Sequence, residues 1–158
     1  MTDHERGLPH DPDLEVDEDL AGEALPVHLT PHLLMFVFIG GSVGVLLRAL
    51  ISDHVAVDST VPVATFGINV VGAFILSVLI EALALRGSDV GHRRALRLFL
   101  GTGLLGGFTT YSALAVQTDT MFGNDQTALA LAYALGTVVF GFVASLAGIA
   151  LTRRGLGA

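Results

Sequence analysis

The feature that most constrains the fold of this sequence is the apolar run Leu98 to Val116, whose centre does not suit a plain helix. The run is long enough to cross a bilayer. Its centre carries glycines at positions 101, 103, 106 and 107, followed by Thr109-Thr110-Tyr111-Ser112. Glycine releases the backbone from helical angles, and threonine and serine hydroxyls bond to carbonyls or to ligands. The pattern predicts a helix that breaks at membrane depth.

Such a break is stable only where it is buried in protein or lines a polar cavity, because unpaired backbone groups in hydrocarbon are costly. Carbonyls released by the break are good ligands for a small hard cation such as Na⁺. Close packing is an alternative interpretation, because Gly103 and Gly107 form a small-xxx-small pair. The Thr109-Thr110 pair directly after Gly106-Gly107 favours the break.

Composition places the chain in a membrane. Of its 158 residues 52% are hydrophobic and 15% are charged, which is too apolar for an ordinary soluble domain. The net charge of −7 reflects the front of the chain, where nine of the fifteen carboxylates precede position 24. We predict an acidic disordered tail over residues 1–31 and a four-helix transmembrane domain over residues 32–155. A domain this small cannot enclose a large pore alone, so we expect an oligomer.

The predicted fold is an all-α integral membrane protein with four transmembrane helices, the third of them broken mid-membrane. The spans are Leu33–Ile51, Val63–Leu85, Leu98–Val116 and Ala128–Leu151. An even number of spans puts both termini on one side, together with most of the arginines: Arg6, Arg86, Arg93, Arg94, Arg97, Arg153 and Arg154. The positive-inside rule then predicts cytoplasmic N and C termini in the cell membrane.

Few polar residues lie inside the spans, and each has two interpretations. Asn69 either joins helices or offers amide hydrogens to an anion. Arg48, near the end of the first span, either extends to the interface or supplies positive charge to a vestibule. Tyr133 is either an interfacial anchor or, with Thr137 one turn deeper, part of a polar track. The sequence leaves these alternatives open.

Three motifs resemble those of the Fluc (CrcB) fluoride channel family. Gly106-Gly107-Phe108-Thr109-Thr110-Tyr111-Ser112 is similar to its signature Gly-Gly-Leu/Phe-Thr-Thr-Phe-Ser. The stretch from Gly40 to Arg48 resembles the glycine-rich first helix, and Thr65 to Phe74 resembles the second-helix motif Thr-x-x-x-Asn-x-x-Gly-Ser/Ala-Phe. The motifs follow the family's order and spacing and cover the chain from about Gly40 onward.

The resemblance implies a fluoride-specific channel that exports fluoride passively as an antiparallel dimer. It also implies a structural Na⁺, not transported, held by the backbone carbonyls of Gly106 and Thr109. The family's pore phenylalanines correspond to Tyr111 and Leu114, and its frequent glutamate corresponds to Gln117, so this sequence departs at three positions. The expected vestibule residue is Arg48, and the expected fluoride pathway comprises Asn69, Thr110, Tyr111, Ser112, Leu114, Tyr133 and Thr137.

The departures allow two interpretations: a channel with an altered aromatic lining, or one subunit of a heteromer. The strong charge bias predicts a fixed orientation, with an oppositely inserted paralogue as the antiparallel partner. The alternative, this chain paired with itself, requires a subunit that inserts in both orientations. The expected partners are therefore fluoride, that second subunit and the lipid bilayer, with no nucleic acid. An alternative class is a small multidrug-type proton-coupled exporter, which needs an embedded carboxylate; Glu81 is the only candidate. No motif indicates an enzyme.

Overall fold

The computed structural model describes residues 16–17, 25–26, 30–55 and 61–156. Within these ranges, four helical segments are long and apolar enough to cross a membrane, which confirms the predicted fold class. The third of them, His92–Gly123, is divided into several parts and is called the third span below. The elements in chain order are β1 (Val16–Asp17), β2 (Leu25–Pro26), α1 (Pro31–Val55), α2 (Val63–Leu85), α3 (His92–Leu96), a π-helical segment (Arg97–Leu105), α4 (Gly106–Phe108), α5 (Tyr111–Gly123) and α6 (Thr127–Leu156).

The predicted boundaries hold for α2 and are too short elsewhere. Residues 92–97, which precede the predicted third span, are helical, and the helix predicted to end at Val116 continues as far as Gly123. In the polar end of α5, the hydroxyls of Thr118 and Thr120 donate to carbonyls one turn earlier, at 2.7 and 2.9 Å, so these polar side chains are satisfied within the helix. Most of the predicted acidic tail, residues 1–31, lies outside the described residues. The described part consists of the antiparallel pair β1 and β2, Thr30, and Pro31, with which α1 begins.

Close backbone contact joins α1 to the first half of the third span. A Cβ added to Gly40 would overlap the carbonyl oxygen of Phe99, and one added to Gly44 would overlap that of Leu104 and lie 2.9 Å from Phe108 N. The contacts advance together along the two segments, so the segments run parallel. The close-packing interpretation of the glycines is therefore confirmed alongside the break.

Helices α2 and α6 form the second parallel pair. The rings of Phe66 and Phe140 meet edge to face with centroids 5.7 Å apart, and Ser145 Oγ lies 3.4 Å from the carbonyl oxygen of Ala73. Farther along, a Cβ on Gly148 would approach the carbonyl oxygen of Phe74 to 2.8 Å. This parallel arrangement brings the C-terminal ends of both helices to the same end of the bundle.

Charge is segregated between the two ends of the bundle. The end that holds the start of α1, the α2–α3 turn and the end of α6 is called the basic end; it carries Arg86, Arg93, Arg94, Arg97, Arg153 and Arg154 with only Glu81 and Asp89 as described acids. The opposite end carries Asp53, Asp119 and Asp125, and its nearest described arginine is Arg48, about two turns before the end of α1. The predicted grouping of the arginines at one end is confirmed for the six that the structure describes there, whereas Arg6 lies outside the described residues.

Candidate functional site

The third span breaks at the two threonines. Thr109 (φ −75°, ψ 157°) and Thr110 (φ −150°, ψ 122°) are extended between the end of α4 at Phe108 and the start of α5 at Tyr111. The break predicted from the Gly-Gly-Phe-Thr-Thr sequence is therefore confirmed, at its Thr-Thr end.

Asn69 of α2 holds the break open. Its Oδ1 accepts from Thr110 N at 2.8 Å, and its Nδ2 donates to Thr110 O at 2.9 Å. In a continuous helix, Thr110 N would donate to the carbonyl of Gly106. The side-chain amide thus replaces the helical partners of Thr110 and joins α2 to the third span. Of the two interpretations of Asn69, the geometry supports the joining role directly.

The hydroxyls of both threonines are also bonded. Thr109 Oγ1 donates to Leu105 O at 2.9 Å, to which Thr109 N also donates. Thr110 Oγ1 caps α5 by accepting from Ala113 N at 3.2 Å, and it lies 3.2 Å from Ser112 Oγ. One threonine therefore finishes the first half of the span, and the other starts the second half.

Arg48 reaches inward to the break and not toward the end of α1. Its Nε donates to the carbonyl oxygen of Gly107 at 3.2 Å, and its side chain is half-buried. A guanidinium therefore satisfies one of the carbonyls that the break releases. The vestibule role expected for Arg48 stays a prediction.

The neighbouring carbonyls of Gly106 and Thr109 are the backbone oxygens expected to hold a cation. The Gly106 carbonyl has lost its helical donor to Asn69, and Gly106 is exposed on the surface of the chain. Backbone carbonyls suit a hard monovalent cation and need no carboxylate. Within the described ranges, no cluster of three or more histidine or acidic side chains offers an alternative metal site.

The two positions expected to carry pore aromatics face different surroundings. Tyr111 is 81% exposed, whereas Leu114 is 7% exposed and packs in a small core with Met121, Ala130 and Tyr133. Ser112 is exposed beside Tyr111. The outward face of α5 therefore presents Tyr111 and Ser112 to whatever covers this surface.

A second polar network beside the break joins two residues of the expected fluoride pathway, Tyr133 and Thr137, to Gln117 and Thr65, which were not among the expected pathway residues. Tyr133 Oη donates to Gln117 Oε1 at 2.8 Å, and Gln117 Nε2 donates to Thr65 Oγ1 at 3.0 Å. Thr137 Oγ1 donates to Tyr133 O at 2.7 Å. The network links α6, α5 and α2. Its sequence signal is the spacing of Thr65, one turn before Asn69 on the same face of α2.

These bonds decide which expected donors are free for an anion. Tyr133 and Thr137 already donate their hydroxyl hydrogens to protein acceptors. The remaining hydrogens are one on the Asn69 amide, one on the Gln117 amide, the hydroxyl hydrogen of the exposed Tyr111, and one of the two hydroxyl hydrogens of Thr110 and Ser112, because the other lies between their oxygens. The site brings Asn69 and Thr110 together directly, whereas Tyr133 and Thr137 belong to the second network.

Glu81 lies at the basic end of α2 and is paired. Its Oε1 accepts from Arg153 Nε at 2.7 Å, and its side chain is 15% exposed. A carboxylate held by an arginine at the end of a span is poorly suited to carry protons through the membrane centre.

Known proteins match the part of this chain that contains the four spans. The family described as CrcB-like protein, Camphor Resistance (CrcB), matches residues 35–149. The chain is 49% identical over 140 residues to the fluoride-specific ion channel FluC 2 of Leifsonia xyli subsp. xyli, covering 85% of this chain and 97% of the relative. It is 44% identical over 128 residues to the fluoride-specific ion channel FluC 1 of Cutibacterium acnes, covering 80% of this chain and 90% of the relative.

Proposed function

Because this chain belongs to the CrcB-like family, we propose that it is a fluoride-specific channel that lets fluoride leave the cell passively. The observation that carries the proposal is the similarity to fluoride-specific channels over nearly their whole length, 97% in the Leifsonia protein. The chain is a multi-pass membrane protein, and its break supplies polar groups inside otherwise apolar spans. A channel needs such groups, because fluoride must exchange water's hydrogen bonds for protein donors.

The proposed pathway runs along the outward face of α5, beside the break. Its free donors are the remaining amide hydrogen of Asn69 and whichever hydroxyl hydrogen of Thr110 and Ser112 is not used in the bond between them. Tyr111 contributes a ring edge, which carries partial positive charge. Leu114 is buried behind this face, where it supports the packing of α5 and offers no hydrogen-bond donor to fluoride. Arg48 supplies positive potential from the inner side of the break.

The same geometry supports a structural Na⁺ held by Gly106 and Thr109. When bound, Na⁺ would satisfy released carbonyls and add positive potential near the anion path. One chain offers few oxygens at the break, and Gly106 and Tyr111 are exposed, so a second subunit in antiparallel orientation would complete the site. With a fixed orientation this subunit is a paralogue, and with insertion in both orientations it is a second copy of this chain. In this proposal the Na⁺ is structural and is not transported, because it holds the carbonyls of the assembled subunits together.

The proposed orientation is fixed, with both termini cytoplasmic. The segregation of arginines to one end and aspartates to the other supports it. Cysteines placed at each terminus test it, when they are labelled from outside in intact cells and from both sides after the cells are opened. If the cysteines are labelled equally from the outside and from the inside, the orientation is not fixed, and this chain is favoured as its own antiparallel partner.

Liposomes that contain this chain test the channel proposal. With potassium leak provided by an ionophore, we expect fluoride efflux well above that of empty vesicles, with no chloride efflux. Efflux by this chain alone would exclude the need for a paralogue. The absence of fluoride efflux, both alone and with an oppositely oriented relative, would refute the proposal. Glu81→Gln should leave the flux unchanged, whereas a proton-coupled exporter would need that carboxylate.

Removal of sodium tests the structural ion independently of flux. Replacing Na⁺ by N-methylglucamine should lower the melting temperature of the wild-type chain, because released carbonyls lose their partner. Asn69→Leu should abolish this dependence, since a straightened helix would return Thr110 N to Gly106 O. Equal melting temperatures of the wild type in both salts would contradict a sodium site.

A further inference from the structure

A small cavity lies at the basic end, between the last turns of α2 and the start of the third span. Its volume is about 130 Å³. Its walls include the apolar residues Ile80, Leu83 and Ala84, and its rim includes Arg93, Arg97 and Asp89. An apolar wall below a charged rim, at the end of a membrane span, resembles the two parts of a phospholipid.

Arg93 is held in place at the rim without being neutralised. Its Nε donates to Ser88 O at 2.8 Å, and its Nη1 donates to Arg86 O at 2.7 Å. The guanidinium lies over Gly87, whose φ of +114° turns the chain beneath it. Among the described residues, no carboxylate pairs with Arg93 and its Nη2 has no hydrogen-bond partner. The position is therefore fixed, and the charge remains available to an anion.

The other rim charges cancel each other. Arg97 Nη2 lies 2.6 Å from Asp89 Oδ2, and Arg97 Nε bonds to the same oxygen. Asp89 therefore does not repel an anion at full strength, and the net charge of the rim is that of Arg93. Val90 and Leu96, about half exposed, flank the rim with apolar surface, as expected of a segment that sits at a lipid boundary.

We propose that this cavity binds an anionic phospholipid, with its phosphate on the Arg93 guanidinium and its acyl chain along the wall of α2. Arginine presents a fork of N–H donors that matches phosphate oxygens. Arginines next to a span attract anionic lipids, each by roughly 1 kcal/mol. The apolar wall distinguishes this ligand from a soluble phosphate, which would gain nothing from it. The proposal does not depend on fluoride transport.

Thermal stability in detergent, titrated with short-chain phosphatidylglycerol, tests the site. The wild-type chain should be stabilised by phosphatidylglycerol and much less by phosphatidylcholine. Arg93→Gln should weaken the apparent affinity about fivefold, as expected for one guanidinium near the surface. Arg154→Gln removes the same charge from the same end but away from the cavity, so it should keep the wild-type affinity. Ala84→Phe fills the cavity without changing charge and should also weaken binding.

Three outcomes would overturn the proposal. Equal losses in Arg93→Gln and Arg154→Gln would mean general attraction to the basic end. Undiminished binding of phosphatidylglycerol by Ala84→Phe would exclude the cavity as the binding site. If Arg93→Gln does not fold, Ala84→Phe alone tests whether the lipid binds in the cavity. Stabilisation by glycerol 3-phosphate equal to that by phosphatidylglycerol would identify a soluble phosphate as the ligand and exclude a role for the acyl chain.

Discussion

Replacing Asn69 by leucine removes the two hydrogen bonds that hold the third span open. Leucine is close in shape to asparagine, so the packing between α2 and the third span should be nearly preserved. Thr110 N and Thr110 O, which Asn69 bonds at 2.8 and 2.9 Å, lose their partners. The variant therefore measures what the amide contributes to the break.

The expected cost is about 2–3 kcal/mol of unfolding free energy. Each buried backbone group left without a partner costs about 1–3 kcal/mol, which gives about 2–6 for the pair. Hydrogen bonds between membrane helices average only about 0.6 kcal/mol, because polar groups find other partners. Here Thr110 N has such a partner, since a continuous helix would return it to Gly106 O. We therefore expect a value near the lower end of the range and a third span that tends to straighten.

Unfolding titrations in mixed micelles measure the free energy, and fluoride efflux from liposomes reports on the break. Ser145→Ala serves as the matched control, because it also removes a bond from a side chain to a carbonyl between helices, at 3.4 Å. The control should cost less than about 0.5 kcal/mol and retain flux. If Asn69→Leu is as stable and as active as Ser145→Ala, the amide does not hold the break and the reasoning fails.

Two further substitutions test the packing around the site. Gly44→Ala should destabilise the chain by about 2 kcal/mol or more in the same titration, because its Cβ overlaps the Leu104 carbonyl oxygen. Gly136→Ala, with no atom within 4 Å of the added carbon, should be neutral or slightly stabilising, and equal effects would contradict the close approach. Tyr133→Phe should cost about 1 kcal/mol, because Gln117 Oε1 loses its donor. In a double-mutant cycle with Gln117→Leu, the effects of the two substitutions on unfolding free energy should not add, because both remove the same bond. Strictly additive effects would argue against the bond.

Much of the site could be predicted because its signals are local. Gly106-Gly107 followed by Thr109-Thr110 predicts a break within an apolar run, and the structure has extended backbone at both threonines. The second network was harder to predict. Thr65 and Gln117 are separated by 52 positions, and nothing in either span indicates that their side chains meet at 3.0 Å.

The segment boundaries show the same limit. Gln117 to Gly123 is polar enough to suggest a turn, yet it is helical, and its threonine hydroxyls bond to carbonyls of the preceding turn. Hydropathy reports where a span can lie in hydrocarbon, whereas a helix can continue beyond the hydrocarbon, so polarity alone does not locate its end.

The sequence by itself determined that this chain has four segments able to cross a membrane, that the third of them breaks within Gly106 to Thr110, and that most of its arginines collect at one end. Each of these depends on hydrophobicity, backbone freedom or charge counted along the chain. Only the tertiary structure decided that Asn69 takes both backbone groups of Thr110, that Arg48 turns inward to Gly107, and that Tyr111 faces outward while Leu114 is buried. The physical reason is that a hydrogen bond or a buried face requires two segments in contact, and the parallel packing of the helices selects which residues meet.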